Sequence, residues 1–340
     1  MKAAIFREFG GPEVLKYETV PTPSASPGHV VVKILASGVN RLEHYIREGS
    51  VVRDMPLPHV LGSDAVGRVV DVGAAVRDFV VGDRVVPMPG YPLNPADDFV
   101  PMSAAPSYAI GGIVNWGTYA EYIEVPARWL LRDETGMPAE QLATLPMVLV
   151  TGVRAVKVVG AVKAGDHVLM HAGASGTGAT NIQIAKALGA HVATTVDSDE
   201  KARFSRSLGA DLVIDVRHKD FVAVTREWTG GRGLDVVVDN LGGDVLARSL
   251  ESVRTCGTVV TMGFVAGLEV KFHIRNFFFT HKRLLGTLMG DAADLQYGLD
   301  LVKAGRVRPL LDRALPLSEA AESHRLVADN KVLGSLVLVP

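Results

Sequence analysis

The stretch HAGASGTGATNIQIAKALGA, residues 171–190, decides the fold predicted for this chain. It overlaps the apolar run HVLMHA (167–172), whose length and composition predict a buried β-strand. Small apolar residues then recur at helical spacing up to Gly189, a residue typical of a helix end. A second apolar run, HVATTV (191–196), follows. The sequence therefore predicts a β-α-β unit with a glycine-rich turn between its first strand and its helix.

The composition of that turn is typical of a phosphate-binding loop. Its glycines permit a tight bend and a close backbone approach to a pyrophosphate, whose charge would meet the free N–H groups of the helix. Such strings also form purely structural turns. Here a strand precedes the turn, a helix and a second strand follow it, and an acidic residue, Asp197, stands roughly 20 residues further on, which favours a dinucleotide site. The candidate cofactor-binding residues of the turn are Gly173, Ser175, Gly176, Thr177 and Gly178.

The pattern of apolar residues and glycines divides the chain into three regions. Residues 1–128 alternate valine-rich runs with glycine turns, which predicts a twisted antiparallel β domain. Within it, a Pro-, Ala- and Gly-rich segment at 88–116 predicts a long loop or lobe. Residues 129–288 alternate apolar runs with helical patterns, which predicts an α/β domain with a doubly wound parallel sheet. Residues 289–340 add one or two helices and a last strand that could return to the first domain.

Composition narrows the class of protein. A chain of 340 residues with 48% hydrophobic and 21% charged residues suits a two-domain globular enzyme. A net charge of -2 gives no reason to expect nucleic acid or a membrane as a partner. Charged residues interrupt the first apolar stretch before it could act as a signal peptide, and the single cysteine, Cys256, suits a reducing cytoplasm. We expect Cys256 to be a small buried apolar residue.

Several blocks of sequence carry a family resemblance. They are GVNRLEHYIREG, PHVLGSDAVGRVVDVGAAVRDFVVGDRV and GTYAEYIEVP in the first domain, with HAGASGTGATNIQIAKALGA and LDVVVDNLGG in the second. In content and spacing they resemble the medium-chain dehydrogenase/reductase superfamily, specifically its quinone oxidoreductase or zeta-crystallin branch. The resemblance implies a GroES-like catalytic domain, a Rossmann domain, an active-site cleft between them and a homodimer.

The same resemblance predicts that there is no zinc. Zinc-dependent alcohol dehydrogenases of the superfamily place catalytic ligands at positions that align with Asn40, Ser63 and Val150, and these three residues could not replace cysteine and histidine ligands. The lobe has the position of the family's structural zinc loop. Where four cysteines would stand it has approximately Leu93, Ala96, Phe99 and Ser107.

Two residues give opposite indications about the cofactor. Asp197 would repel a 2′-phosphate and favours NAD(H), whereas Lys201 matches a lysine that NADP-binding members direct at that phosphate. Asp197 could also be a helix-capping residue that points to solvent. We expect NAD(H) or NADP(H), with NAD(H) weakly favoured. By resemblance, the remaining candidate cofactor-binding residues are Thr151, Asn240, Gly263 and Phe264.

Candidate catalytic residues lie in the block NRLEHYIREG. Asn40 could donate to a substrate oxygen, and Tyr45 could wall the pocket or supply a proton. Trp116 and Phe277 are candidate pocket walls, as are Phe264 and Phe278, although each could equally be core or dimer interface. The alternative for this block is structural: Glu43 and Arg47, four apart on a helix, would form a surface ion pair and Tyr45 would be packing.

Without zinc, the resemblance favours the reduction of small apolar quinones or of the activated C=C bond of enones. Hydride addition to a conjugated double bond spreads charge to an enolate oxygen, which one hydrogen-bond donor can stabilise. A zinc-free alcohol or aldehyde dehydrogenase and a nucleotide-binding protein without turnover remain alternatives.

Overall fold

The computed structural model describes residues 1–340, which form two compact units. The first unit contains residues 1–147, 291–303 and 309–340, and the second contains residues 148–290 and 304–308. The first unit thus extends beyond the boundary predicted at residues 128 and 129. The physical reason is that strand Leu130–Arg132 pairs with strand Arg84–Pro87 and so belongs to the sheet of the first unit.

The first unit is built on antiparallel sheets, as the valine-rich runs predict. Its N-terminal strands are β1 (Lys2–Phe6), β2 (Lys16–Thr19), β3 (His29–Val39), β4 (His59–Val60), β5 (Asp64–Val72), β6 (Arg84–Pro87), β7 (Gly90–Pro92), β8 (Tyr108–Ile110), β9 (Tyr122–Pro126) and β10 (Leu130–Arg132). Helices α1 (Arg41–Glu48) and α2 (Ala139–Leu142) also belong to this unit. Helix α3 (Pro146–Val153) begins at its end, enters the second unit at residue 148 and continues there into a π-helical segment, Arg154–Val159. The lobe contains the hairpin β7–β8 and a short 3-10 helix, Met102–Ala104.

The second unit alternates strands and helices. Its strands are β11 (His167–Met170), β12 (His191–Val196), β13 (Leu212–Asp215), β14 (Leu234–Asp239), β15 (Val253–Thr261) and β16 (Arg283–Gly286). Its helices are α4 (Gly176–Ala187), α5 (Asp199–Ser207), α6 (Phe221–Trp228), α7 (Gly243–Ser252) and α8 (Ile274–Phe279). All six strands are parallel, in the order β13-β12-β11-β14-β15-β16. This is the doubly wound order of a Rossmann domain, and it confirms the predicted fold class.

The C-terminal region returns to the first unit. It contains α9 (Ala292–Lys303), β17 (Leu311–Pro316), α10 (Ala320–Ala328) and β18 (Ser335–Val339). Strand β18 pairs antiparallel with β3 and parallel with β17, so the last apolar run lies inside the largest sheet of the first unit. The strand order of this sheet is β10-β6-β5-β3-β18-β17, and β9 also pairs with β3. Strands β16 and β17 were not predicted from the sequence, because neither carries a long apolar run.

The prediction for Cys256 is wrong. The residue is exposed and has a left-handed backbone with φ of 60°. The ladder between β14 and β15 is irregular between Leu234 and Val236, and Thr255 and Cys256 are exposed between the buried residues Val253 and Gly257. Cys256 therefore lies in the irregular first half of the strand with its side chain in solvent. No helix of the chain is long and apolar enough to span a membrane.

Candidate functional site

The glycine-rich turn lies at the carboxyl end of β11, which is the point where the strand order reverses. Ser175 is the N-cap of α4, and its Oγ accepts a hydrogen bond from the Gly178 N–H at 3.1 Å. A Cβ on Gly178 would stand 2.2 Å from the Ala172 carbonyl oxygen, and one on Gly173 would stand 2.2 Å from Thr194 Oγ1. The turn therefore requires glycine at both positions, and the first turn of α4 directs its free N–H groups to this edge.

Asp197 and Lys201 form an ion pair with each other. Lys201 Nζ lies 2.7 Å from Asp197 Oδ1, and 60% of the Asp197 side chain is exposed. The capping role considered for Asp197 is wrong, because Ser198 is the N-cap of α5 and accepts from the Lys201 backbone N–H. Asp197 and Lys201, which give opposite indications about the cofactor, thus neutralise each other's charge just after the end of β12.

The loops after β14 and β15 touch each other at the same edge of the sheet. A Cβ on Gly263 would stand 2.2 Å from the Asn240 carbonyl oxygen, so glycine is required there. The side-chain Oδ1 of Asn240 is buried and has no hydrogen-bond partner within the chain. Phe264 is 44% exposed, and Thr151 lies half-buried on α3. Glycines at close contacts and an unpaired buried amide oxygen fit a bound dinucleotide.

In the first unit, Asn40 lies in a buried polar cluster. It is the N-cap of α1, and its backbone N–H donates to Glu43 Oε2 at 2.8 Å. Its amide Nδ2 donates to Asp64 Oδ2 at 3.0 Å and lies 3.4 Å from Ser63 Oγ. Ser63 Oγ in turn donates to Glu43 Oε1 at 2.7 Å, and the Met147 N–H donates to Asp64 Oδ1. One amide and one hydroxyl therefore connect two carboxyl groups.

Both carboxyl groups are buried without a cationic partner. Burial raises the pKa of Glu43 from 4.5 to about 7, against the hydrogen bonds from Ser63 and Asn40 that lower it. Burial also raises the pKa of Asp64 from 3.8 to about 8, and the neighbouring charge of Glu43 acts in the same direction. A low-dielectric site disfavours the charged form, so the cluster retains a proton near neutral pH.

The surface ion pair considered for Glu43 and Arg47 is wrong. Both side chains are buried, and no ion pair joins them. Arg47 instead donates to the Gly10 carbonyl oxygen and lies 2.8 Å from His44 Nδ1. The amphipathic spacing of α1 correctly indicates one shared face, but that face packs inward rather than toward solvent.

The other candidate residues lie in different surroundings. Tyr45 is half-buried, with its ring 5.6 Å from the His44 ring. Trp116, 38% exposed, and Ser63 line a recess of about 30 Å³, which has room for a water molecule rather than a substrate. Phe277 packs against the core of the second unit and against Phe272.

The residues at the zinc positions do not fit a zinc ion. Asn40 and Ser63 make hydrogen bonds within the polar cluster, and Val150 is a fully buried apolar side chain. The chain contains no group of three or more His, Cys, Asp or Glu residues that could hold a metal. Structural zinc sites need four such ligands and catalytic sites need three.

Sequence reasoning did not identify Asp64 as part of the site. It stands directly after Ser63, and only the pairing of β5 with β3, with Asp64 opposite Gly38, brings it to Asn40. The signal was present in the block HVLGSDAVG, where a carboxylate interrupts an otherwise apolar and glycine-rich run.

Comparisons with known proteins agree with this architecture. Residues 26–138 match the alcohol dehydrogenase GroES-like domain, and residues 176–304 match the zinc-binding dehydrogenase domain. A 2-haloacrylate reductase from Burkholderia sp is 32% identical, over 99% of this chain and 98% of that protein. The chain belongs to the quinone oxidoreductase branch of the medium-chain dehydrogenase/reductase superfamily. It is an NAD(P)H-dependent oxidoreductase of the medium-chain type.

Two solved structures extend the likeness. An NAD-dependent alcohol dehydrogenase is 34% identical with a TM-score of 0.94, and each chain covers all of the other. A quinone oxidoreductase from Escherichia coli, solved in complex with NADPH, is 26% identical with a TM-score of 0.85 and equally complete coverage. Relatives of this fold therefore include proteins described with either nicotinamide cofactor.

Proposed function

We propose that this protein is a zinc-independent reductase that transfers hydride from NAD(P)H to a quinone or to the activated C=C bond of an enone. The observation that carries the proposal is the cluster of Asn40, Ser63, Glu43 and Asp64, where an amide and two carboxyl groups stand in place of a metal ligand set. The names of the related 2-haloacrylate reductase and quinone oxidoreductase support the same chemistry.

The proposed reaction requires only one hydrogen-bond donor from the protein and one source of a proton. Hydride adds to the β-carbon of the conjugated system, and the negative charge moves to the carbonyl oxygen. One N–H of Asn40 is held by Asp64, while the other faces Ser63 Oγ at a long 3.4 Å and can turn to a substrate oxygen. Tyr45 or a water molecule supplies the proton that completes the reduction.

NAD(H) is the cofactor that we favour. Asp197 would repel a 2′-phosphate, but its ion pair with Lys201 reduces that repulsion, so the preference is modest. The glycine turn would hold the pyrophosphate through Gly173, Ser175, Gly176, Thr177 and Gly178, and the loops after β14 and β15 would contribute Asn240, Gly263 and Phe264. Thr151 is a further cofactor contact in this proposal.

We also propose that the protein forms a homodimer through the free edge of β16. This strand pairs only with β15, so its other edge has unpaired backbone groups. Exposed apolar side chains surround it, among them Phe278, Phe279, Leu285 and Leu288. A second copy would cover both the edge and these side chains, since a two-fold pairing extends the sheet antiparallel.

An alcohol dehydrogenase is the second candidate function, favoured by the TM-score of 0.94 to a protein of that name. A panel of enones, 1,4-quinones and, in reverse, primary and secondary alcohols, assayed with both cofactors, separates the two. Enone or quinone reduction without alcohol oxidation is expected. Robust alcohol oxidation alone would favour the second function, and dinucleotide binding without any turnover would favour a binding protein.

Asn40→Ala tests the role of the amide within the same assay. We expect kcat to fall by about 10²–10³-fold, the usual cost of removing one oxyanion donor, with little change in dinucleotide affinity. Ser37→Ala is the matched control, because it removes a buried hydroxyl bonded to Thr118 without touching Asn40. Equal effects of the two substitutions on kcat would contradict a role for the Asn40 amide.

A further inference from the structure

A chain of buried hydrogen bonds runs beneath the carboxyl edge of the parallel sheet, centred on His171. His171 is the residue after β11, is 1% exposed, and directly precedes the glycine-rich turn. Its Nδ1 lies 3.1 Å from Thr195 Oγ1 on β12, and its Nε2 lies 2.9 Å from Ser249 Oγ on α7. Ser249 Oγ lies 2.7 Å from Asp239 Oδ2 at the end of β14.

The chemistry of these groups determines which of them donates and which accepts in each hydrogen bond. Ser249 has one hydroxyl hydrogen, which it donates to the Asp239 carboxylate because that contact is shorter and charge-assisted, compared with 3.0 Å to the Val245 carbonyl oxygen. Ser249 Oγ therefore accepts from His171 Nε2–H, which leaves Nδ1 as the acceptor for Thr195. Burial lowers the pKa of His171 to about 4, which keeps the ring neutral and fits this tautomer.

Each end of this series of hydrogen bonds binds the backbone of a different loop of the proposed cofactor site. Thr195 Oγ1 accepts from the Ala172 N–H at 3.1 Å, and the Thr195 carbonyl oxygen accepts from the Gly173 N–H at 3.0 Å. At the other end, Asp239 Oδ1 accepts from the N–H groups of Leu241 at 2.9 Å and Gly242 at 2.8 Å.

The far loop is connected to the loop after β15. The Leu241 carbonyl oxygen accepts from the Ala266 N–H at 2.6 Å, and Gly242 forms a β-bridge with Gly267. In a parallel sheet of this order, a dinucleotide lies across the point of strand reversal, with the pyrophosphate at the turn after β11. If Asp197 binds the adenosine ribose beyond β12, the nicotinamide would extend toward the loops after β14 and β15.

We propose that His171 is a positioning residue that couples the pyrophosphate-binding turn to the loops on the nicotinamide side, so that the two halves of the dinucleotide bind cooperatively. The proposal rests on the proposed cofactor site. His171 touches neither cofactor nor substrate; it acts through Thr195 on one side and through Ser249 and Asp239 on the other.

The test compares NADH with ADP-ribose, which lacks the nicotinamide ring, by calorimetric titration of the full-length protein. His171→Phe keeps a ring that can pack at a right angle on Phe221, whose centroid is 5.0 Å away, but removes both polar contacts. We expect the dissociation constant of ADP-ribose divided by that of NADH to fall about tenfold, because NADH binding weakens; this is within the usual range for coupled sites. The dissociation constant of ADP-ribose should stay within about threefold of the wild-type value.

Thr225→Val is the matched control, since it removes a buried hydroxyl that bonds only within α6. Ser249→Ala breaks the chain at a second point and decides the matter if His171→Phe does not fold. An unchanged ratio in folded His171→Phe or Ser249→Ala would overturn the coupling while leaving the cofactor site intact. Wild-type protein that binds neither ligand would overturn the cofactor site itself, and the coupling with it.

Discussion

Asp64 and Glu43 are the residues at which folding and protonation are most strongly linked. Their raised pKa values, about 8 and about 7, mean that the folded protein holds protons that the unfolded chain releases above pH 4 to 5. Unfolding therefore releases protons between that pH and about 8, and a rise in pH favours unfolding in this window. The cluster contributes most to stability on the acid side and least above pH 8.

We predict that Asp64→Asn removes part of this dependence. Between pH 5 and 8 the wild type should lose up to about 1.4 kcal/mol of unfolding free energy per pH unit relative to the variant. Denaturant unfolding at a series of pH values measures the difference. Asp54→Asn, at an exposed position, is the control and should follow the wild-type profile. Parallel profiles for wild type and Asp64→Asn would show that Asp64 does not hold the proton.

Asp197 gives the second prediction at the residue scale. Asp197→Ser removes the carboxylate and frees Lys201, 2.7 Å away, to meet a 2′-phosphate. We expect the preference for NADH over NADPH in kcat/KM to fall by about tenfold, because the pair is partly exposed and its charges are screened. Combining Asp197→Ser with Lys201→Ala should restore much of the preference for NADH, because the lysine that would meet the 2′-phosphate is then absent. If Asp197→Ser leaves the ratio of the two cofactors unchanged, the carboxylate does not set the preference.

At the scale of elements, the turn and α4 act as one unit. Ser175 caps the helix, and its hydroxyl also donates to the Ala172 carbonyl oxygen at 2.8 Å. The Ser175 side chain thus links the turn to the first N–H groups of α4 and holds both in place. Because these groups would bind the pyrophosphate, the cap matters for both stability and cofactor binding.

We predict that Ser175→Ala costs about 1 kcal/mol of stability and also weakens NADH binding. Asp220→Ala supplies the comparison, since Asp220 caps α6 through the Val222 N–H at 2.8 Å but lies outside the turn. Thermal unfolding and fluorescence titration with NADH measure the two effects. Both variants should lose similar stability, and only Ser175→Ala should lose affinity; equal loss of affinity in both would indicate a general effect of helix capping.

At the scale of the whole molecule, β16 is the feature most easily tested. Leu285, 36% exposed on the free edge strand, would be buried by a second copy. We expect Leu285→Asp to shift the mass in solution from dimer to monomer, because a buried unpaired carboxylate opposes association. Light scattering after gel filtration measures the mass. Val81→Asp, at a 64% exposed valine of the first unit, should leave it unchanged. A wild-type monomer would contradict the proposed dimer.

The sequence by itself determined the parallel sheet and the glycine turn, and it predicted that the three positions of the family's catalytic zinc ligands hold other residue types. These features are local: apolar runs set strands, glycines set the turn, and the chemistry of Asn40, Ser63 and Val150 is readable without contacts. The return of the last strand to the first unit was also predictable, because an apolar run needs a sheet to cover it.

Only the tertiary structure decided which polar groups meet. Asn40 reaches Asp64 because β3 and β5 pair with Gly38 opposite Asp64, and His171 reaches Asp239 only through Ser249 on a helix far along the chain. The same holds for the inward face of Arg47 and the exposed side chain of Cys256. Register and packing fix these contacts between residues distant in sequence, and no local pattern encodes them.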